Sequence, residues 1–155
     1  MELTLQVDSR EKAHAIAKII AEFERSGVKW FVSKLPVGDY ISLDNPRLAI
    51  DRKQSLSEVY NNLCQQHERF KAELVRANDL GIKLIILVEH GGAIRGIEDV
   101  PKWNNPRLRY SPYAWSGGRL YKTMRTVADR YGVTWEFCDK RHTGKRIIEI
   151  LRGEK

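Results

Sequence analysis

The segment VGDYISLDNPRLAIDRK, residues 37–53, decides the reading of this chain. Gly38 opens an extended run from Asp39 to Leu43, Asp44-Asn45-Pro46 gives a strong turn signal, and the chain returns from Arg47 to Arg52. The segment is read as a β-hairpin. With its turn centred on Asn45, Leu43 faces Arg47, Ile41 faces Ala49, and Asp39 faces Asp51. Directly opposed residues have Cβ atoms about 4.5–5.5 Å apart, which sets these two carboxylates side by side on one face. The pairing depends on register, because a slip of one residue turns one carboxylate to the other face.

Two bare carboxylates at that spacing repel each other, and a divalent cation between them removes the cost. Mg²⁺ takes one or two carboxylates and fills its shell with water and substrate phosphate. Lys53 lies two residues beyond Asp51, so its side chain shares the same face. Its ammonium there can orient a water, stabilise phosphorane-like charge, or, with a lowered pKa, take the proton of that water. Two carboxylates and a lysine on adjoining strands are what metal-assisted phosphodiester hydrolysis needs. The plain alternative is a surface hairpin with ordinary charges.

Upstream of the hairpin, residues 3–7 alternate as a strand, and Ile16, Ile19, Ile20 and Phe23 repeat at helical spacing, predicting a helix over about 11–25. Val28 to Ser33 reads as a second strand. Downstream, Ser55-Leu-Ser-Glu58 has the form of a capping box. The helix it starts is expected to break near Cys64–Gln66, resume with Phe70, Leu74 and Ala77 on one face, and stop at Gly81. KLIILV, residues 83–88, is an apolar strand of the kind covered by helices on both faces. The stretch from about 90 to 115 carries Pro101, Pro106, Pro112 and several glycines, and is long enough to read as a functional loop. A helix with Leu120, Met124, Val127 and Tyr131 ends at Gly132; a strand, Val133 to Phe137, and a short helix with Ile147, Ile148 and Leu151 follow. The sum is one α/β domain with a mixed central sheet flanked by helices.

The chain has 155 residues, a length that suits one domain, and its 42% hydrophobic and 30% charged residues exclude a disordered composition. No apolar run approaches the roughly 20 residues of a membrane helix. No basic-then-apolar leader opens the sequence, so export is not expected. Cys64 and Cys138 lack any CxxC or Cys/His spacing; they read as reduced thiols of a cytosolic (cytoplasmic) protein and give no zinc site. The net charge of +7 is unevenly placed. Residues 100–128 contain six basic side chains (Lys102, Arg107, Arg109, Arg119, Lys122 and Arg125) and no acidic one. Trp103, Tyr110, Tyr113, Trp115 and Tyr121 are interleaved with them. Cations neutralise phosphates and rings stack on bases, so this stretch is a candidate nucleic-acid contact; a solvated basic loop with core aromatics is the alternative.

Three motifs in order carry a family resemblance: Val7-Asp8-Ser-Arg10-Glu11-Lys, then Leu35-Pro-Val-Gly38-Asp39-Tyr, then Ile50-Asp51-Arg52-Lys53. Over roughly residues 3–90 the chain resembles the nuclease domain of XPF-type structure-specific endonucleases, of the PD-(D/E)xK superfamily. The resemblance implies a restriction-endonuclease-like core, dependence on Mg²⁺ or Mn²⁺, and cleavage of branched, flapped or junction DNA. By position it implies Asp39 and Asp51 as metal ligands, Lys53 as the catalytic lysine, and Arg52 as a phosphate or structural contact. Asp8, Arg10 and Glu11 would line the same cleft. Two departures stand out. Asp51 replaces the family's usual glutamate, and Ser57 stands where an aspartate usually follows the lysine, with Glu58 one residue later as a third metal candidate. Relatives often cut as dimers, so a homodimer is an expectation, with the apolar parts of 116–131 or 143–152 as its interface.

Several residues carry a competing structural reading. Asp8 and Glu11 have capping-box spacing before the first helix, with Arg10 between them as an ion-pair partner. Glu58 is explained equally by its own capping box. Glu89 ends the buried strand, where functional groups of open sheets often lie. Arg69, on the helix after the hairpin, is a candidate phosphate contact. Thr143-Gly-Lys-Arg146 lacks the full phosphate-loop pattern and is discounted. A non-catalytic nucleic-acid-binding module and an RNA-directed nuclease are the alternative functions.

Overall fold

The computed structural model describes residues 2–153. Six strands form one sheet: β1 (Thr4–Asp8), β2 (Lys29–Ser33), β3 (Tyr40–Ser42), β4 (Asn45–Lys53), β5 (Lys83–Glu89) and β6 (Thr134–Cys138). Their order across the sheet is β2-β1-β3-β4-β5-β6. β3 runs antiparallel to its neighbours and the other pairs are parallel, so the sheet is mixed as the sequence predicts. One consequence positions everything that follows: β1, β2, β4, β5 and β6 all end on the same edge of the sheet, and β3 begins there.

The helices are α1 (Ala17–Arg25), α2 (Leu56–Cys64), α3 (His67–Asp79), α4 (Gly117–Tyr131) and α5 (Thr143–Arg152). α1 and α5 bury Ile19, Phe23, Ile147 and Leu151 against Leu5, Val7, Tyr40, Ile50 and Leu87. α2, α3 and α4 bury Leu63, Leu74 and Met124 against Ile41, Ala49, Ile86 and Val88 on the opposite face. Successive residues of β3, β4 and β5 thus alternate between two cores, as period-two side chains in a helix-covered sheet must. Asp39, Ile41, Ala49, Asp51 and Lys53 belong to the α2/α3 side; Tyr40, Ile50, Arg52, Leu87 and Glu89 belong to the α1/α5 side.

The structure corrects three expectations. The hairpin pairs Ile41 with Ala49, but its turn is tighter than one centred on Asn45: Ser42 pairs with Asn45, the register shifts between Ile41 and Ser42, and Leu43 does not face Arg47. The irregularity at the turn leaves the inner register intact, with Tyr40 opposite Ile50. The first helix begins at Ala17 rather than 11; residues 13–16 form turns, and Ile16, at the N-cap, supplies no side-chain cap. The apolar parts of α4 and α5 are consumed by the two cores, so they do not form a free interface. The break between α2 and α3 falls at Gln65–Gln66, where expected. The 90–115 stretch is partly ordered into two 3-10 segments, Ile97–Lys102 and Pro106–Arg109. Both cysteines are free. Among the described residues no helix is long and apolar enough to cross a membrane.

Candidate active site

At the common strand edge, β1, β3 and β4 and the flanks of α2 and α3 enclose a polar cleft of about 350 Å³. Asp39 is fixed just before β3 by two backbone ties: its amide donates to the Ile50 carbonyl at 2.7 Å, and its Oδ2 accepts the Arg52 amide at 2.7 Å. Gly38 makes the approach possible. It adopts φ +73°, and a Cβ there would lie 3.0 Å from the Ile50 carbonyl oxygen and 3.1 Å from Ala49 Cβ. Asp51 is buried, and its Oδ2 accepts no hydrogen bond. Lys53 Nζ stands 3.3 Å from that oxygen, an ion pair outside hydrogen-bond geometry.

Burial pushes the Asp39 carboxyl well above the usual carboxylate range, and the charges of Asp51 and Glu11 push it the same way. The site therefore holds excess negative potential, the condition that favours a bound cation. Among the described residues no three His, Cys, Asp or Glu side chains converge tightly enough to hold an ion unaided. Two carboxylates with an unpartnered oxygen suit Mg²⁺ or Mn²⁺, which keep several waters and add substrate oxygens.

Lys53 is buried, and its ammonium also packs on the Phe70 ring, 5.4 Å from the centroid. Burial pulls its pKa down, yet Asp51, Glu58, Glu73 and Asp39 outweigh that effect and raise it. These carboxylates keep the group an ammonium in the structure as it stands. Glu58 forms its capping box: its amide donates to the Ser55 hydroxyl oxygen at 3.2 Å, and its Oε1 accepts the Gln54 amide at 2.7 Å. Its Oε2 lies 4.0 Å from Lys53 Nζ.

Asp8, Arg10 and Glu11 also reach the cleft. Asp8 caps no helix. Its Oδ1 accepts the Leu35 amide at 2.9 Å, which holds the Leu-Pro-Val-Gly approach to Asp39, and its Oδ2 receives Arg10 at 2.6 Å. Glu11 likewise caps nothing and takes the Arg52 guanidinium through both oxygens, at 3.1 and 3.0 Å. The other side of Arg52 donates to Glu89 Oε1 at 2.6 Å, and Glu89 Oε2 receives the Thr143 hydroxyl at 2.6 Å. Burial opposes the charge on Arg52, but Glu11, Tyr40 and Glu89 hold it firmly protonated. Both ends of this guanidinium are thus taken by carboxylates, so of its two sequence-level roles the structural one fits.

Glu73 is a cleft residue that the sequence pattern did not single out. It sits on α3 between Arg69 and Arg76, and all three line the cleft. Burial and the Asp51 charge raise its pKa, against Lys53, the Gly38 amide and Arg10. The signal was present as helical spacing: residues 69, 73 and 76 form the face beside Phe70, Leu74 and Ala77.

The basic, aromatic stretch divides. Trp103 is buried, and Trp103 and Trp115 pack on Tyr60 with ring centroids 6.5 and 5.7 Å away. Tyr121 is half-buried and its hydroxyl donates to Glu98. Tyr110 and Tyr113 stay 85% and 89% exposed. Lys102 and Arg125 pair with Asp99 and Glu98, while Arg107, Arg109, Arg119 and Lys122 have no acidic partner among the described residues.

The fold is shared with known proteins. The chain superposes on XPF from Aeropyrum pernix with a TM-score of 0.69 and 23% identity, over 96% of this chain and 63% of that one. It superposes on XPF from Aeropyrum pernix in complex with DNA with a TM-score of 0.68 and 22% identity, over 97% and 64%. The chain thus spans slightly under two thirds of these matched proteins. At these identities the match establishes the fold, a restriction-endonuclease-like core. No curated protein sequence matches. The family model of the ERCC4 domain aligns with residues 7–143, most of the chain. This chain belongs to the ERCC4 domain family.

Proposed function

We propose that this chain is a metal-dependent endonuclease that hydrolyses DNA phosphodiester bonds, with branched, flapped or junction DNA as its substrate class. Membership of the ERCC4 domain family and the XPF-like fold support a DNA nuclease in general. One of the matched XPF structures is a complex with DNA. The observation that carries the reading is the buried Asp51 oxygen that accepts no hydrogen bond, in the same cleft as Asp39 and with a lysine ammonium 3.3 Å away.

In this reading Asp39 and Asp51 hold Mg²⁺ or Mn²⁺, which supplies Lewis acidity and an activated water when bound. Lys53 faces the scissile phosphate and neutralises the negative charge that develops on it. Glu58 balances Lys53 through Oε2 and holds the start of α2 through Oε1, at the outer rim of the metal site. Arg69 and Arg10 meet the neighbouring phosphates. Arg52, clamped by Glu11 and Glu89, keeps β4 in the register that points Asp51 and Lys53 into the cleft.

The test is cleavage of end-labelled flap, junction and linear DNA with Mg²⁺, with Mn²⁺ and with EDTA. Metal-dependent cutting of branched substrates is expected, and Lys53→Ala should bind DNA yet cut roughly 100- to 1,000-fold more slowly. Metal-independent cutting, or full activity of Lys53→Ala, would overturn the assignment. Parallel RNA strands should remain uncut.

A further inference from the structure

We propose that residues 105–115 form a stacking platform for single-stranded DNA, with Tyr110 and Tyr113 as its rings and Arg107, Arg109 and Arg119 as its cations. The proposal rests on the nuclease reading only for its place in catalysis; the platform itself rests on the following observations. Asn105 is buried and closes the segment at both ends: its Nδ2 donates to the Trp115 carbonyl at 2.9 Å, and its Oδ1 accepts the Arg107 amide at 3.0 Å. Trp103 and Trp115, which flank the segment, are anchored on Tyr60 of α2. Gly117 allows no substitute at the base, since a Cβ would lie 2.6 Å from the carbonyl oxygens of Trp103 and Val100.

A fixed base with a bare tip is a costly arrangement for apolar surface. The tip nevertheless carries two almost fully exposed tyrosine rings and a 42% exposed Leu108. Between residues 100 and 128 no acidic side chain offsets the basic ones. Arg107 and Arg109 alternate with this apolar tip and have no acidic partner among the described residues. The Arg119 guanidinium stands over the Trp115 ring, 4.7 Å from its centroid, and adds a cation beside the base of the segment.

This charge selects a polyanion, and the free rings select one whose bases are exposed. Duplex DNA offers its phosphates but keeps its bases stacked away from a surface tyrosine, whereas an unpaired strand offers both. Tyr60, which holds the base of the platform, lies two residues beyond Glu58 at the rim of the cleft. A strand bound here is therefore held by the helix that borders the cutting site, and the preferred substrate gains an unpaired arm.

The experiment measures fluorescence anisotropy of the protein with labelled oligothymidine, a blunt hairpin duplex and oligouridine, all in EDTA. Tyr110→Ala/Tyr113→Ala should weaken oligothymidine binding by about tenfold or more while changing duplex binding less than about twofold. Tyr110→Phe/Tyr113→Phe should restore it, because stacking does not need the hydroxyl. Both pairs are on the surface, so unchanged circular dichroism is expected and verifies the fold. Unaltered oligothymidine affinity in the alanine variant, equal loss on duplex, or tighter binding of oligouridine overturns the platform. So does loss of a dimer in that variant, by sedimentation, with DNA affinity intact. The two readings fail separately: an absence of metal-dependent cutting by the unmutated protein refutes the nuclease reading, while oligothymidine binding in EDTA, which needs no cutting, tests the platform alone.

Discussion

Arg52 and Glu89 meet across neighbouring parallel strands, Nη1 donating to Oε1 at 2.6 Å, on the face of the sheet opposite to Asp51 and Lys53. Both side chains are almost sealed from solvent, at 5% and 3% exposure. The strand that carries the cleft residues is therefore held from behind by a buried ion pair.

Removing Glu89 takes one of the two carboxylates from the buried Arg52 guanidinium and leaves its Nη1 without a partner. Glu89→Ala should cost about 3–5 kcal/mol in urea unfolding. Thr143→Val, which removes only the hydroxyl partner of Glu89, should cost about 1–3 kcal/mol. A Glu89→Ala protein as stable as the parent would show that Glu11 alone is enough to hold Arg52.

Asp39 should make stability depend on pH and, in the proposed reading, on metal. Its folded pKa is raised, so the folded state keeps a proton that the unfolded chain has lost. The stability linked to that proton is fully present below the ordinary carboxylate range and is lost as pH rises through the folded pKa. In EDTA, Asp39→Asn should therefore melt higher than the parent, with an advantage that grows from acid towards alkaline pH. The asparagine oxygen still accepts the Arg52 amide. Added Mg²⁺ should raise the Tm of the parent and leave the variant unmoved; thermal melts across pH with and without Mg²⁺ read both effects.

Glu58 and Asp51 are separable by rate. Glu58 is half-exposed and 4.0 Å from Lys53, a pair of modest strength. Glu58→Gln should slow cutting about fivefold or less, while Asp51→Asn should abolish it. A loss in Glu58→Gln equal to that in Asp51→Asn would place Glu58 in the metal shell.

Gly117 tests the base of the exposed loop. A methyl group there collides with backbone carbonyls that cannot rotate away, unlike the tip of a side chain. Gly117→Ala should destabilise by about 1–3 kcal/mol in thermal unfolding. A neutral result would mean that α4 starts elsewhere.

Much of this was legible in the chain. Alternation in 37–53 and the apolar 83–88 run predicted the central strands, because a sheet covered on both faces must bury both sets of side chains. The Asp39–Asp51 neighbourhood followed from pairing alone, since Ile41 opposite Ala49 fixes it whatever the turn does. The turn was misjudged by local chemistry: Asp-Asn-Pro marks a reversal but not where the bulge falls. The helix start at 11 was misjudged because helical spacing of isoleucines continues into turns that carry no capping side chain. Glu73 escaped because a carboxylate on a helix is ordinary until the helix is docked.

The sequence by itself determined that Asp39, Asp51 and Lys53 share one face of the sheet, because i, i+2 spacing and cross-strand pairing are local rules. It also determined that the chain carries an excess of cations near its middle. Only the tertiary structure decided what each charge is for. Arg52, one residue from two cleft side chains, turns to the opposite face and is clamped by Glu11 and Glu89. Of the five interleaved aromatics, two are left bare. Burial and partnership are properties of three-dimensional neighbours, and they decide which of these side chains are buried in the cleft, which are clamped in ion pairs and which stay exposed.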